Sequence, residues 1–328
     1  MEQAFALKHT EDVLKGSSSG GAFMAIAEAF LKITDNRGYV FGVCFDENMK
    51  LKYDGVSGIS QCRKFCGSKY ITPQLDSALK EVEYRLKRKD YVLFIGLPCH
   101  VNGMTHVLKK HDVNTERLYT VDLICNGAPS ERVWIDFVKL LEHKYKGKLT
   151  DFHFRVKGSP SNPYKTKAYF ENGKTVIDTN ITASYNRLFL KKLLIQKKCF
   201  SCRYKTLDRY TDLTIGDFWG ISHIMPAIEA KNGVSLVLVS TKKGQLLLDK
   251  INEGILLSEC EDTQFLNYQN NLVSNPEIPH NYSQFWKNYD EYGIEYILKK
   301  YADGGCKGKI VYVIRRIVRV LREKAGIR

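Results

Sequence analysis

Cys199 and Cys202 form a Cys-x-x-Cys pair at the start of CFSCRYKTLDRYTDLTIGDFWGI, residues 199 to 221. That spacing lets two thiolates share a metal centre or act as a redox pair. Taken alone the pair is a weak signal, because cysteine is among the most frequently buried residues. Two more cysteines stand in turn sequences, Gly96-Leu97-Pro98-Cys99-His100 and Leu123-Ile124-Cys125-Asn126-Gly127. Each follows an apolar stretch that reads as a buried strand, and turns after the parallel strands of an α/β sheet open on a common crevice. Cys99 and Cys125 are therefore expected to meet there. With Cys199 and Cys202 they make a four-thiolate set, the soft donor set of an iron-sulfur cluster or a structural zinc, and spacing does not choose between these. A rival grouping joins Cys62-x-x-x-Cys66 to Cys199 and Cys202 as a closed zinc site. Cys44, Cys260 and Cys306 read as packing residues or unpaired thiols.

A second chemistry-bearing stretch is GSSSGGAF, in which Ser17, Ser18, Ser19, Gly20 and Gly21 precede a helix. Helix N-terminal amides together with hydroxyl donors suit a pyrophosphate. The stretch is neither a Walker loop nor G-x-G-x-x-G, and the plainer alternative is a capping motif with Ser19 as N-cap. A third loop, Gly67-Ser68-Lys69-Tyr70, offers a cation and a phenol to a phosphate or a ring. No Ser-His-Asp arrangement, HExxH helix or paired-carboxylate motif is evident from spacing. His100 and His223 draw notice only through their neighbours.

The elements that must position these residues follow from periodicity. AFMAIAEAFLKI (22 to 33) has helical spacing, while residues 39 to 46 and 51 to 56 read as strands. An amphipathic helix over 75 to 89 feeds the strand YVLFIG (91 to 96). A helix over 100 to 110, the strand LYTVDLIC (118 to 125) and a helix over 130 to 145 capped by Ser130 complete an α/β layer. Beyond it DFHFRVK, TKAYFE and KTVID read as antiparallel strands with an Asn172-Gly173 turn. A helix near 183 to 195 leads to the cysteine pair, then TDLTIGDF and VSLVLVST supply strands and GQLLLDKIN a helix. The expected class is α+β: an α/β-like N-terminal layer with a mixed sheet, antiparallel strands in the second half and a helical C-terminal tail. Three regions are expected: a core over 1 to 240, an α/β and helical extension over 241 to 306, and a basic amphipathic helix over 307 to 328.

The 328 residues, 44% of them apolar, suffice for a sizeable core. A charged N-terminus and the absence of a long uncharged apolar run point to a cytoplasmic chain. A formal charge of +14 favours polyanionic partners. Much visible basic clustering is in the tail, where Arg315, Arg316, Arg319 and Arg322 lie largely opposite Ile310, Ile314, Ile317 and Leu321. Such a helix can lie on an anionic membrane, peripheral at its inner face, or dock on the protein's own core.

Taken in order, GSSSGGAF, CGSKYI, GLPCH with LICNG, and CFSCRYKTLDRYTDLTIGDFWGI resemble the coenzyme F420 hydrogenase/dehydrogenase beta-subunit family over about residues 5 to 240. The resemblance implies an iron-sulfur flavoprotein with FAD and a 4Fe-4S cluster held by Cys99, Cys125, Cys199 and Cys202. By the same resemblance the Ser17 to Gly21 turn and the Gly67 to Tyr70 loop hold FAD, with Lys69 balancing phosphate or reduced-flavin charge. The strand ending in Asp217 and Trp219 then buttresses the cluster and approaches the flavin. Where the family usually has Pro-Cys-Gln and Cys-His-Gly, this chain has His100 and Asn126, so His100 is expected to supply the proton that others draw from the second position. The chain begins at the flavin segment without a ferredoxin-like module, which implies a separate electron donor such as ferredoxin, or direct reduction by coenzyme F420 or NAD(P)H. The resemblance further implies redox chemistry on a small molecule, with a glycan precursor of surface-polysaccharide biosynthesis as the preferred class. An electron-transfer subunit serving a partner enzyme is the alternative, and a zinc-stapled nucleic-acid-binding protein the third reading, though nucleic acid is not the expected partner.

Overall fold

A computed structural model describes residues 3 to 157 and 165 to 302. The expected basic helix over 307 to 328 and Cys306 lie outside the described residues. Eleven strands are described: β1 (Gln3–Lys8), β2 (Gly38–Phe45), β3 (Leu51–Val56), β4 (Tyr91–Gly96), β5 (Leu118–Leu123), β6 (Leu149–His153), β7 (Lys167–Phe170), β8 (Thr175–Ile177), β9 (Leu213–Asp217), β10 (Ser235–Val239) and β11 (Leu256–Glu259). The class is α+β, as expected. The chain divides into two units: one holds residues 1 to 68, 72 to 126 and 198 to 276, the other 69 to 71, 127 to 197 and 277 to 328.

The first unit carries an eight-stranded mixed sheet in the order β11-β1-β10-β9-β5-β4-β2-β3. Its centre, β9-β5-β4-β2, is parallel, and β10, β1, β11 and β3 are antiparallel. Strand alternation sends alternate side chains to opposite faces, and both faces are covered. Leu93, Val121, Leu213 and Val237 pack with Met24, Ile26 and Phe30 of the helix Ala22–Ile33 on one face. On the other, Val92 and Phe94 meet Ala78, Val82, Val101 and Met104 of the helices Asp76–Lys87 and Pro98–Lys110. Leu236 and Leu238 lie under Phe218, Phe265 and Leu272 on that same side.

Between those two apolar patches, β5 and β9 turn Thr120, Asp122 and Thr214 outward, and all three are buried. Polar groups survive burial when they are paired. Asp212 Oδ2 accepts from the Thr120 amide and hydroxyl at 2.8 and 3.0 Å, and Arg209 Nη1 lies 3.3 Å from Asp122 Oδ2 with both side chains 3% exposed. The segment between Cys202 and β9 thus seats on a polar strip crossing an otherwise apolar sheet.

The second unit holds the antiparallel sheet β6-β7-β8, with Gly173 at φ +77° in the expected Asn-Gly turn. Trp134, Phe137, Phe152, Phe154 and Tyr185 form its aromatic core. Ser130 does occupy the N-cap position of the helix Glu131–Tyr145, but its side chain makes no capping bond, contrary to expectation. The helix expected over 183 to 195 runs instead from Asn180 to Leu190, because Thr179 and Thr182 form a reciprocal capping box that starts it earlier. Helix Tyr282–Ile297, and strands β1 and β11 of the first unit, were not anticipated.

Candidate functional site

Two neighbouring parallel strands aim Cys99 and Cys125 in the same way. In β4 and β5 the register pairs Gly96 with Asp122, so each cysteine follows its paired residue at the same offset. Pro98 opens the helix Pro98–Lys110, where its lack of an N–H costs nothing. Cys99 is thereby placed in the first helical turn and Cys125 in the loop after β5.

Electrostatics shows which cysteines are neighbours. Burial pushes the Cys99 thiol above the ordinary thiol range, and Cys199 and Cys202 push it further while Lys198 opposes them. Cys99 still reaches the surface, whereas Cys125, Cys199 and Cys202 are half-buried. Lys205 senses Cys125, Cys202 and Cys199 together, and Tyr53 senses Cys99 and Cys125. The four expected thiols therefore occupy one neighbourhood. Among the described residues, no three His, Cys, Asp or Glu side chains gather closely enough to ligate a single ion.

The backbone of this neighbourhood is pinned by side chains that the sequence reading missed. Cys202 N donates to Asn275 Oδ1 at 2.9 Å. Arg203 Nη2 and the Tyr204 hydroxyl donate to Asn102 Oδ1 at 3.3 and 3.0 Å, tying the Cys-x-x-Cys segment to the helix that carries Cys99. Lys205 Nζ donates to the carbonyls of Cys125 and Asn271. Asp122 was the available signal: a carboxylate inside the apolar run LYTVDLIC demands a buried cation, which Arg209 supplies. Burial raises the Asp122 carboxyl above the usual range and Arg209 counters it.

His100 stands one residue past Cys99. The Leu97 amide donates to the Tyr53 hydroxyl at 3.1 Å, and that hydroxyl lies 3.2 Å from His100 Nδ1. Tyr53 is buried and its phenol pushed up, so it keeps its proton, and its hydroxyl shares one hydrogen bond with Nδ1. Gly96 permits this arrangement, since a Cβ there would lie 2.6 Å from the Tyr53 hydroxyl oxygen. Burial, and Lys198 after it, hold the imidazole down to about 4. A proton-supplying role for His100 belongs to the proposal below, and what the site fixes is the ring's place one residue past Cys99 and against the Tyr53 hydroxyl.

The serine-glycine turn has spent most of its hydroxyls. Ser17 Oγ donates to Val13 O at 2.8 Å and Ser19 Oγ to Val234 O at 3.0 Å. Ser18 Oγ accepts from the Ser68 amide at 2.7 Å, which brings the two expected flavin segments together. Gly20 is wedged between β1 and β10, where a Cβ would lie 2.2 Å from Leu7 O. Ser19 is not the N-cap; that position is taken by Gly21 at φ +83°, with no side-chain cap. Gly67 (φ +84°) has open space where a Cβ would be.

Lys69 and Tyr70 belong to the second unit. There Lys69 acts electrostatically on Asp151, and the Tyr70 ring stacks on Phe189 with centroids 4.4 Å apart. Asp217 ends β9 opposite Ser235, and Trp219, 41% exposed, is held through its carbonyl by Gln269. Asn126 is half-buried at the end of the β5 loop. His223 stacks on Tyr268. In the rival grouping, burial drives the Cys62 thiol up to about 12, Cys66 adds to this, and the thiol donates to Gly58 O. Cys44 and Cys260 are buried in core clusters as expected.

No described helix is long and apolar enough to cross a membrane. Residues 89 to 263 match the family model for the C terminus of the coenzyme F420 hydrogenase/dehydrogenase beta subunit. The fold is similar to a chain in a xenon-derivatised structure of the F420-reducing NiFe hydrogenase complex from Methanosarcina barkeri, with a TM-score of 0.53 and 16% identity over 89% of this chain and 94% of that one. With the family model covering more than half of its length, this chain belongs to the coenzyme F420 hydrogenase/dehydrogenase beta-subunit family.

Proposed function

We propose that this chain is an iron-sulfur flavoprotein oxidoreductase, with Cys99, Cys125, Cys199 and Cys202 holding a 4Fe-4S cluster and the 17 to 21 turn, with the 67 to 70 loop, holding FAD. When bound, these groups supply single-electron transfer and its exchange with two-electron chemistry. The reading is carried by the shared neighbourhood of the four thiols, with Lys205 sensing three and Cys99 sensing the Cys-x-x-Cys pair. The four side chains would hold such a cluster as soft thiolate donors. Around it, Asn102 and Asn275 fix the Cys-x-x-Cys segment, and Tyr53 fixes the orientation of His100, the proposed proton donor. Ser18 and Ser68 align the two flavin segments. Asp217 and Trp219 at the end of β9, with Asn126 after β5, are proposed to face the flavin, and Lys69 to balance its charge.

Anaerobically purified protein is expected to contain iron, sulfide and a flavin chromophore. Colourless protein with stoichiometric zinc would overturn the reading. Cys99→Ser and Cys125→Ser should each lower the iron content, and full clusters in both variants would remove these residues as ligands.

A separate electron donor such as ferredoxin, or a direct one such as coenzyme F420 or NAD(P)H, is part of the proposal, as is a surface-glycan precursor as substrate held near a membrane by the basic tail. A second reading, an electron-transfer subunit for a partner enzyme, is favoured by the likeness to a chain of a hydrogenase complex. Stable co-purification with a second redox protein distinguishes it.

A further inference from the structure

The Cys-x-x-Cys loop carries a lysine where burial penalises a charge. Lys205 is half-buried, and its Nζ donates to the Cys125 carbonyl and, at 2.6 Å, to the Asn271 carbonyl. Carbonyl dipoles offset only part of the cost of taking an ammonium out of water. The groups that favour its charged form are Cys125, Cys202 and Cys199, while Arg209 opposes it. Arg209 itself is paired with Asp122. Burial holds the Lys205 ammonium below its ordinary range, and its Nζ is nonetheless placed on the Cys125 backbone, beside the side chains that would be the thiolate ligands of a cluster. Its two hydrogen bonds also tie the loop after β5 to the helix Asn270–Val273, fixing where Cys125 stands relative to Cys202.

We infer that Lys205 is a positioning residue that holds the Cys125 segment in place and keeps a fixed positive charge beside the thiolates, raising the reduction potential of the cluster they carry. This rests on the cluster assignment proposed above. Four thiolates leave a bound cluster with net negative charge, and each electron taken up adds to it. A cation beside the ligands stabilises the reduced form more than the oxidised one, and net charge and hydrogen bonding are the means by which proteins set cluster potentials. An arginine at this position would preserve the charge, and a methionine would preserve the volume alone.

The test is an anaerobic redox titration of the full chain with dithionite, following the cluster by absorbance and by the EPR signal of its reduced form, with iron measured per chain in each variant. Lys205→Met is expected to shift the midpoint to more negative potential, beyond the scatter of replicate titrations, while Lys205→Arg stays at the wild-type midpoint. Loss of iron in Lys205→Met alone, with Lys205→Arg fully loaded, also supports the assignment, because the charged donor is then required to hold the site. An unshifted midpoint in a fully loaded Lys205→Met overturns it. So does equal loss of iron from both variants with unchanged circular dichroism, since charge would then not be what matters. Absence of iron from the wild-type protein instead refutes the cluster assignment, so the two failures are distinguishable.

Discussion

The serine-glycine turn and the cysteine neighbourhood are built in opposite ways. In the turn, side chains are spent on the protein: Ser17, Ser18 and Ser19 bond to Val13, Ser68 and Val234, and Gly20 fits only because it has no side chain. In the cysteine neighbourhood, Asn275 and Lys205 spend their side chains on the backbone of Cys202 and Cys125, while Arg203 and Tyr204 bond to the Asn102 side chain on the helix that carries Cys99. The difference separates stability from chemistry. Changes in the turn should weaken the fold, while changes of the cysteines should leave the fold and remove what it binds.

The largest effect tests the scaffold under the cysteines. Arg209→Met leaves the buried Asp122 carboxylate uncompensated and should cost about 3–5 kcal/mol in denaturant unfolding. Its pH dependence follows from the sign. The folded Asp122 carboxyl is raised above its unfolded value, so the folded state binds the proton more tightly, and stability is lost as pH rises out of the ordinary carboxylate range. The deficit of Arg209→Met should therefore shrink on acidification toward pH ~4 and be fullest at neutrality; a deficit independent of pH would show that Asp122 is not its source. Next, Gly20→Ala pushes a methyl into the backbone of β1 and β10, which cannot move aside as a side chain can, and should cost at least about 1–3 kcal/mol. Ser18→Ala removes one acceptor from the Ser68 amide and should cost about 1 kcal/mol, with weaker flavin retention if the two segments act together. Smallest in stability is Cys99→Ser, expected within about 0.5 kcal/mol of wild type because the residue is exposed, yet with iron content sharply reduced. A Cys99→Ser variant as destabilised as Gly20→Ala would dissolve the contrast between the regions.

The cysteine site was legible in outline because strand and turn signals are local. YVLFIG followed by Pro98, and LYTVDLIC followed by Asn126-Gly127, fix both strand ends, and parallel pairing of β4 with β5 then sets Gly96 and Asp122, from which the two cysteine turns start, side by side. Lys205 was not legible, since nothing in RYKTLDR distinguishes a lysine that folds inward from one left in water. Tyr53 was hidden for a related reason: its contact to His100 depends on β3, on Gly96 leaving room and on the start of the next helix, which no single window contains. The Ser19 cap failed because the turn docks against β10, far along the chain, and that docking outweighs a local capping preference. The early start of the Asn180 helix escaped notice because its capping box uses a second threonine where Glu or Gln is usual.

The shared register of Gly96 and Asp122 also orders events in time. As the polypeptide leaves the ribosome, β4 and β5 emerge together with the helix that joins them, so Cys99 and Cys125 can be set before the second pair has been translated. Synthesis of the second unit's sheet intervenes before Cys199, Cys202 and then β9 appear. Any metal centre requiring all four must be loaded late, onto a half-site that has already waited.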